Sequence, residues 1–177
     1  SVASRGLGDV YKRQELVDYE FGWKYKSEKF YFGSNLYYMN YKNQLVLTGA
    51  LDDVGTPIRE NSGKSYRKGI ELETMLKASN NIDISTNISF SKNKNIDYKT
   101  NFNGEVTNWG DTDISFSPNL ISSIALNFNP KKDLNISLLN KFVGDQYMSN
   151  TESVVSKLNS YSTTCLLYTS PSPRDAT

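Results

Sequence analysis

The chain contains no histidine and a single cysteine, Cys165, among its 177 residues. Without histidine it lacks the side chain most often used as a general base near neutral pH and as a metal ligand. One cysteine excludes both an internal disulfide framework and a thiolate metal cluster. No run approaches the roughly 18 apolar residues of a membrane-spanning helix. Twenty Lys and Arg against 19 Asp and Glu leave a net charge of +1, without the basic excess that marks a nucleic-acid surface. What is abundant is tyrosine, 12 residues, in a chain whose mean hydropathy is only −0.55. A polar average rich in aromatics fits a soluble protein. It also fits a membrane β-barrel, in which half of every strand faces water.

The two ends read differently from the middle. Residues 5–14, RGLGDVYKRQ, can be encoded by CGT GGG CTC GGA GAT GTG TAT AAG AGA CAG. The reverse complement of that string, read one base out of register, gives CLLYTSPSPR, which is residues 165–174. The string resembles the adapter end of transposon-based sequencing libraries. Residues 1–14 and 165–177 are therefore expected to be translated adapter that packs poorly or lies irregularly. Cys165 then has no biological role, and the natural segment is 15–164.

Within that segment the hydrophobic period is two, the period of a strand with two unlike faces. Val17, Tyr19, Phe21, Trp23 and Tyr25 alternate with Asp18, Glu20, Gly22 and Lys24. The same holds for 66–78, 82–91, 120–128 and 134–142. The stretch 30–47 carries aromatics on both faces, so its facing stays open. Short polar turns at 27–29, 79–81 and 129–133 alternate with long polar connections at about 49–64, 93–118 and 144–159. Antiparallel strands joined alternately by short turns and long loops predict an all-β, up-and-down transmembrane barrel, of which this chain supplies about six strands. A soluble carbohydrate-binding β-sandwich and a passive porin-like channel remain alternatives.

Residues 35–73 read NLYYMNYKNQLVLTGALDDVGTPIRENSGKSYRKGIELE, and 116–128 read FSPNLISSIALNF. These stretches resemble the barrel domain of TonB-dependent outer-membrane receptors, especially those of Bacteroidetes. The resemblance implies an outer-membrane protein that captures a scarce bulky ligand (an iron chelate, a cobalamin or a glycan) through extracellular loops. It further implies an N-terminal plug, contact with the TonB energy-coupling complex, outer-membrane lipid around the barrel, and neither enzymatic chemistry nor a cofactor. Neither the plug with its energy-coupling box nor the closing strand is recognisable in the chain. At Gly69 a missing side chain would let plug or neighbouring backbone approach closely, but the residue reads instead as ordinary barrel architecture.

Candidate chemistry is confined to the long connections. Asp52–Asp53 and Asp111/Asp113 are paired carboxylates without the ligand spacing of a calcium loop, and read as solvated acids. Gly63–Lys64–Ser65 lacks the upstream glycines of a phosphate loop. Trp109, Tyr98 and Phe102 in one connection, with Asp52, Asp53 and Arg59 in another, offer stacking and charged groups to a polar ligand. Trp109 reads first as a packing anchor for its loop and only second as a stacking platform.

Overall fold

A computed structural model describes residues 12–51, 53–102 and 105–170. Its elements are β1 (Glu15–Lys26), β2 (Phe30–Lys42), β3 (Leu45–Leu51), β4 (Pro57–Asn61), β5 (Lys64–Lys77) and β6 (Ile82–Phe102). They continue with β7 (Glu105–Asp113), β8 (Leu120–Lys131), β9 (Leu134–Val143), β10 (Gln146–Tyr147), β11 (Lys157–Leu158) and β12 (Tyr161–Thr169). A single 3-10 turn, Val154–Ser156, is the only helical element among the described residues.

The topology is an antiparallel meander in the order β1-β2-β5-β6-β8-β9-β12, with β1 and β12 as its two edges. β7 pairs with the far half of β6. The small ladders β3–β4 and β10–β11 form inside two of the long connections. The three short turns therefore share one end of the sheet and the three long connections share the other. Ser27 shows how a short turn is built: its amide donates to the Phe30 carbonyl at 2.7 Å, while its hydroxyl oxygen accepts from the Phe30 amide at 3.1 Å.

Register settles the facing of β2. Phe21 stands opposite Leu36, Leu36 opposite Ile70, Ile70 opposite Phe90, and Phe90 opposite Leu120. The even positions Phe30, Phe32, Leu36 and Tyr38 therefore join the aliphatic face, and Tyr31, Tyr37 and Tyr41 join the polar one. The aliphatic face runs on through Ile88, Leu126, Leu138 and Ile136. The opposite face carries Asp18, Glu20, Lys24, Arg67, Glu71, Glu73 and Lys141.

Two expectations are corrected. The strand anticipated over 30–47 breaks at Asn43, whose φ of 55° ends β2. Gln44 then turns inward, buried, and its side-chain oxygen accepts from the Ser65 hydroxyl at 2.6 Å. Asparagine tolerates this left-handed backbone better than most residues. Second, residues 93–113 form a β-ribbon rather than an irregular loop, because pairing supplies the hydrogen bonds that Asn-, Lys- and Asp-rich sequence does not advertise. Residues 165–169 extend β12 along β9 as an exposed edge strand, from Cys165 opposite Leu139 to Thr169 opposite Asn135. An unpaired strand edge templates almost any extended segment, and Leu-Leu-Tyr-Thr is β-prone. β12 makes the sheet one strand wider than expected, and all its side chains are exposed. Residues 12–14 are irregular but tethered, since the Lys12 amide donates to Asn61 Oδ1 at 2.8 Å.

Candidate functional site

The described side chains that are buried lie almost entirely at the long-connection end. They include Val46, Tyr98, Ile114 and Val143 and the polar residues Gln44, Ser65, Asn93, Asn95, Thr112, Ser115 and Asn150. β6 passes out of the sheet there and pairs with β7, from Lys94 opposite Asp113 to Phe102 opposite Glu105. The ladder is interrupted on both sides of Tyr98. At the first break Asp97 takes a φ of 50°, facing a strand whose Gly110 has a φ of 72°. The bulge is tied internally, because the Asp97 amide donates to Asp111 Oδ1 at 3.1 Å and Asn108 Nδ2 donates to Asp97 Oδ1 at 2.8 Å. Such a bulge bends the strand and re-aims the side chains beside it.

This bulge separates the predicted site residues. Tyr98, opposite Gly110, is 1% exposed and serves packing. Trp109 stays 45% exposed while its indole Nε1–H donates to Thr100 Oγ1 at 3.0 Å, which fixes the ring on the ribbon surface. Around it stand Asn108, Asp97 and Lys99, the last bonded to Asp97 at 2.6 Å. The Lys99 hydrogen bond, then that of Asn108, holds the Asp97 carboxyl below the usual carboxylate range. Asp53 and Arg59 are exposed on the separate β3–β4 ladder. Asp52 lies outside the described residues, as does the side chain of Phe102. Asp111 and Asp113 do not face a common point: Asp111 caps the bulge and Asp113 pairs with Lys94. No group of three or more metal-ligating residues occurs among the described residues.

Sequence reasoning missed a polar lock beneath the ribbon. Lys94 Nζ lies 2.8 Å from Asp113 and 3.1 Å from Glu152, and Glu152 also accepts from the Asp113 amide. Burial alone lowers the Lys94 pKa, but hydrogen bonds to Asp113 and Glu152 outweigh it and raise the value. Beside it Asn150, fully buried, accepts through Oδ1 from the Ser115 amide at 2.8 Å and from Asn95 Nδ2 at 3.2 Å. The connection following β9 is thereby fastened to the base of the β6–β7 ribbon. Lys92, Asn93, Lys94 and Asn95 are polar at every position, so the apolar alternation of 82–91 does not announce that β6 runs on past Ser91. The partners Asn150 and Glu152 have no sequence signature.

A meander with one aliphatic and one charged face, and all long connections at one end, matches the family model described as TonB-dependent receptor-like β-barrel over residues 10–170. The chain belongs to that family. Among solved structures it is similar to the ferric yersiniabactin uptake receptor FyuA of Yersinia pestis (TM-score 0.65, 16% identity, 88% of this chain and 22% of that one). It is similar also to a variant of the ferric enterobactin receptor PfeA of Pseudomonas aeruginosa (TM-score 0.64, 18% identity, 92% and 24%). A third is the copper transporter OprC (TM-score 0.65, 14% identity, 90% and 23%). The chain thus spans under a quarter of the length of these solved chains. No curated protein matches it.

Proposed function

We propose that the chain is a wall segment of a Bacteroidetes-type TonB-dependent receptor in a Gram-negative outer membrane. In this reading the aliphatic face meets lipid, the charged face lines the lumen, and the long connections stand outside the cell. The whole receptor captures a scarce, bulky ligand from the medium. A plug in its lumen couples to the TonB complex, which powers inward release. The barrel performs no bond chemistry; it satisfies its backbone hydrogen bonds in lipid and holds the loops in a binding geometry. A passive channel would share the wall, but family membership favours the energy-coupled receptor.

The observation that carries this reading is the continuity of the two faces across the six strands β1, β2, β5, β6, β8 and β9. Packing against a soluble core would bury one face, whereas here Val17, Tyr19, Phe21, Trp23, Leu36 and Leu126 are all exposed. Ligand recognition falls to the outer ribbons, where Trp109 is fixed yet open, flanked by Asn108, Asp97 and Lys99, with Asp53 and Arg59 on the neighbouring ladder. The test is Trp109→Ala in the full-length receptor, measuring surface abundance and ligand binding together. Weaker binding at normal abundance supports recognition by the ribbon, with a loss of about 1–3 kcal/mol for a stacked aromatic anchor. Lost abundance would make Trp109 a packing residue, and no change in either would remove it from the site.

A further inference from the structure

Between β7 and β8 the segment 114–119 folds back over the charged face of the sheet. Ser117 Oγ accepts from Arg67 Nη1 at 3.1 Å and donates to the Ser115 carbonyl at 3.1 Å, while the Ser91 hydroxyl donates to the Pro118 carbonyl at 3.1 Å. Between these ties Phe116 takes a φ of 52°, a left-handed backbone that bulky residues rarely adopt. Its amide donates to the Tyr147 carbonyl at 2.8 Å, which holds the residue from the connection after β9. The ring gains little burial in return, being 49% exposed. A strained backbone that leaves an aromatic ring in the open points to a task at that spot rather than to packing.

Phe116 borders a recess of about 340 Å³ on the charged face. Arg67 and Asn93, opposite one another on β5 and β6, form its side nearest the long connections. Glu20 lines it opposite Tyr37, and Glu71 lines it one row further from the long connections. The charges in this recess are unmatched. Arg67 is half-buried and reaches only the neutral Ser117 hydroxyl, and neither Glu20 nor Glu71 forms an ion pair among the described residues. Arg67 and Glu71 are four residues apart on β5, about 13 Å along the strand, so one small group placed between their side chains can touch both. A simple anion would meet two carboxylates here, and a simple cation would meet the guanidinium. A neutral sugar would leave all three charges without a counter-charge. A zwitterion answers each of them.

Building on the receptor reading above, we infer that this recess recognises an amino-carboxylate group on the ligand that is taken up. Arg67 holds the carboxylate through the N–H groups that Ser117 leaves open, a fork suited to two oxygens. Glu20 and Glu71 receive the ammonium, and the Phe116 ring covers the apolar remainder. The recess thus selects by charge pattern on the wall itself, apart from Trp109 on the outer ribbon.

The experiment uses the full-length receptor in detergent with three probes: L-leucine, N-acetyl-L-leucine, which keeps only the carboxylate, and L-leucinamide, which keeps only the ammonium. Binding is read by saturation-transfer NMR. The wild type binds L-leucine about tenfold more tightly than either blocked form, since each lacks one charge-assisted contact. Arg67→Gln weakens L-leucine about tenfold for the same reason. Because that change also unties Ser117, Glu20→Gln with Glu71→Gln supplies an independent arm. It leaves the Ser117 tie in place, weakens L-leucine and tightens N-acetyl-L-leucine, a gain that misfolding cannot produce. Absence of L-leucine binding, equal binding of the three probes, or no gain for the acetylated probe in the carboxylate variant overturns the inference. A Ser89→Cys receptor in intact cells separates this inference from the reading beneath it. Labelling by a membrane-impermeant maleimide without zwitterion selectivity defeats only the recess. Labelling by a bilayer-soluble maleimide alone defeats the orientation of the wall as well.

Discussion

The sheet and the long-connection end of this molecule are stabilised by opposite means. Along β1 every side chain is exposed, as along β12, and the middle of the sheet is held by its backbone ladder. Beyond it, at the end where β6 meets β7, side chains bury one another: Asn95, Asn150 and Ser65 are at most 1% exposed, and each has a side-chain hydrogen bond. A ladder satisfies backbone groups wherever it runs, but side chains need a second surface. The sheet leaves that surface to its surroundings, whereas the far end supplies its own. The same chain thus combines a wall whose packing is completed from outside with a cap that is complete in itself.

Gly69 gives the largest test of this contrast. A Cβ there would lie 2.4 Å from the Phe90 carbonyl oxygen and 2.7 Å from the Tyr37 hydroxyl. The tyrosine can swing aside, but the neighbouring backbone cannot. Gly69→Val is expected to cost about 3 kcal/mol by forcing strands β5 and β6 apart. The check is the yield of detergent-resistant folded barrel. A normal yield would show that the wall tolerates separation and that its ladder is not the limiting interaction.

Asn150 tests the cap. Asn150→Ala leaves the Ser115 amide and Asn95 Nδ2 short of an acceptor in a buried site, at a cost of about 1–3 kcal/mol. Amide exchange should accelerate in 93–95, 113–115 and 144–160 while the wall strands keep their protection. Acceleration spreading into β8 and β9 would mean that wall and cap unfold as one unit.

The smallest effect is that of pH on the ribbon. Because hydrogen bonds from Lys99 and Asn108 depress the Asp97 pKa in the folded state, their contribution is complete above the unfolded carboxyl value. It is lost as pH falls through the lower folded value. Below about pH 4 the bulge should loosen slightly, seen as faster exchange at Asn108 and Gly110, with the cap at Asn150 unmoved. Asp97→Asn should abolish this pH dependence. Asp97 is exposed, so added salt should blunt the effect.

The wall was legible in the sequence and the cap was not, for one physical reason. A strand with two unlike solvents writes its facing into every second residue, so Val17–Tyr25, Ile82–Ser91 and Leu134–Phe142 announce themselves. β2 escaped because Tyr31 and Tyr37 belong to the polar face while Phe30 and Phe32 belong to the aliphatic one, and hydropathy does not tell them apart. In the cap both sides of β6 and β7 meet polar groups, so no alternation is written beyond Ser91. Asn150 and Ser115 are ordinary loop residues until register brings them together. Of the candidate site residues, exposure divides Trp109, which remains available, from Tyr98, which is consumed by packing. That division depends on the bulge at Asp97, which no local pattern reveals.

β6 runs for 21 residues, paired with β8 from Ile82 to Phe90, with β5 from Asp83 to Ile96 and with β7 from Lys94 to Phe102. At about 3.3 Å per residue it spans roughly 70 Å. A load applied at the ribbon tip therefore reaches the wall along covalent bonds through β6 directly and through β7 by way of 114–119 into β8, while the hydrogen bonds between the two strands are pulled in shear. The outer ribbon behaves as a mast stepped in the wall: its rigging can slacken while the spar keeps its footing.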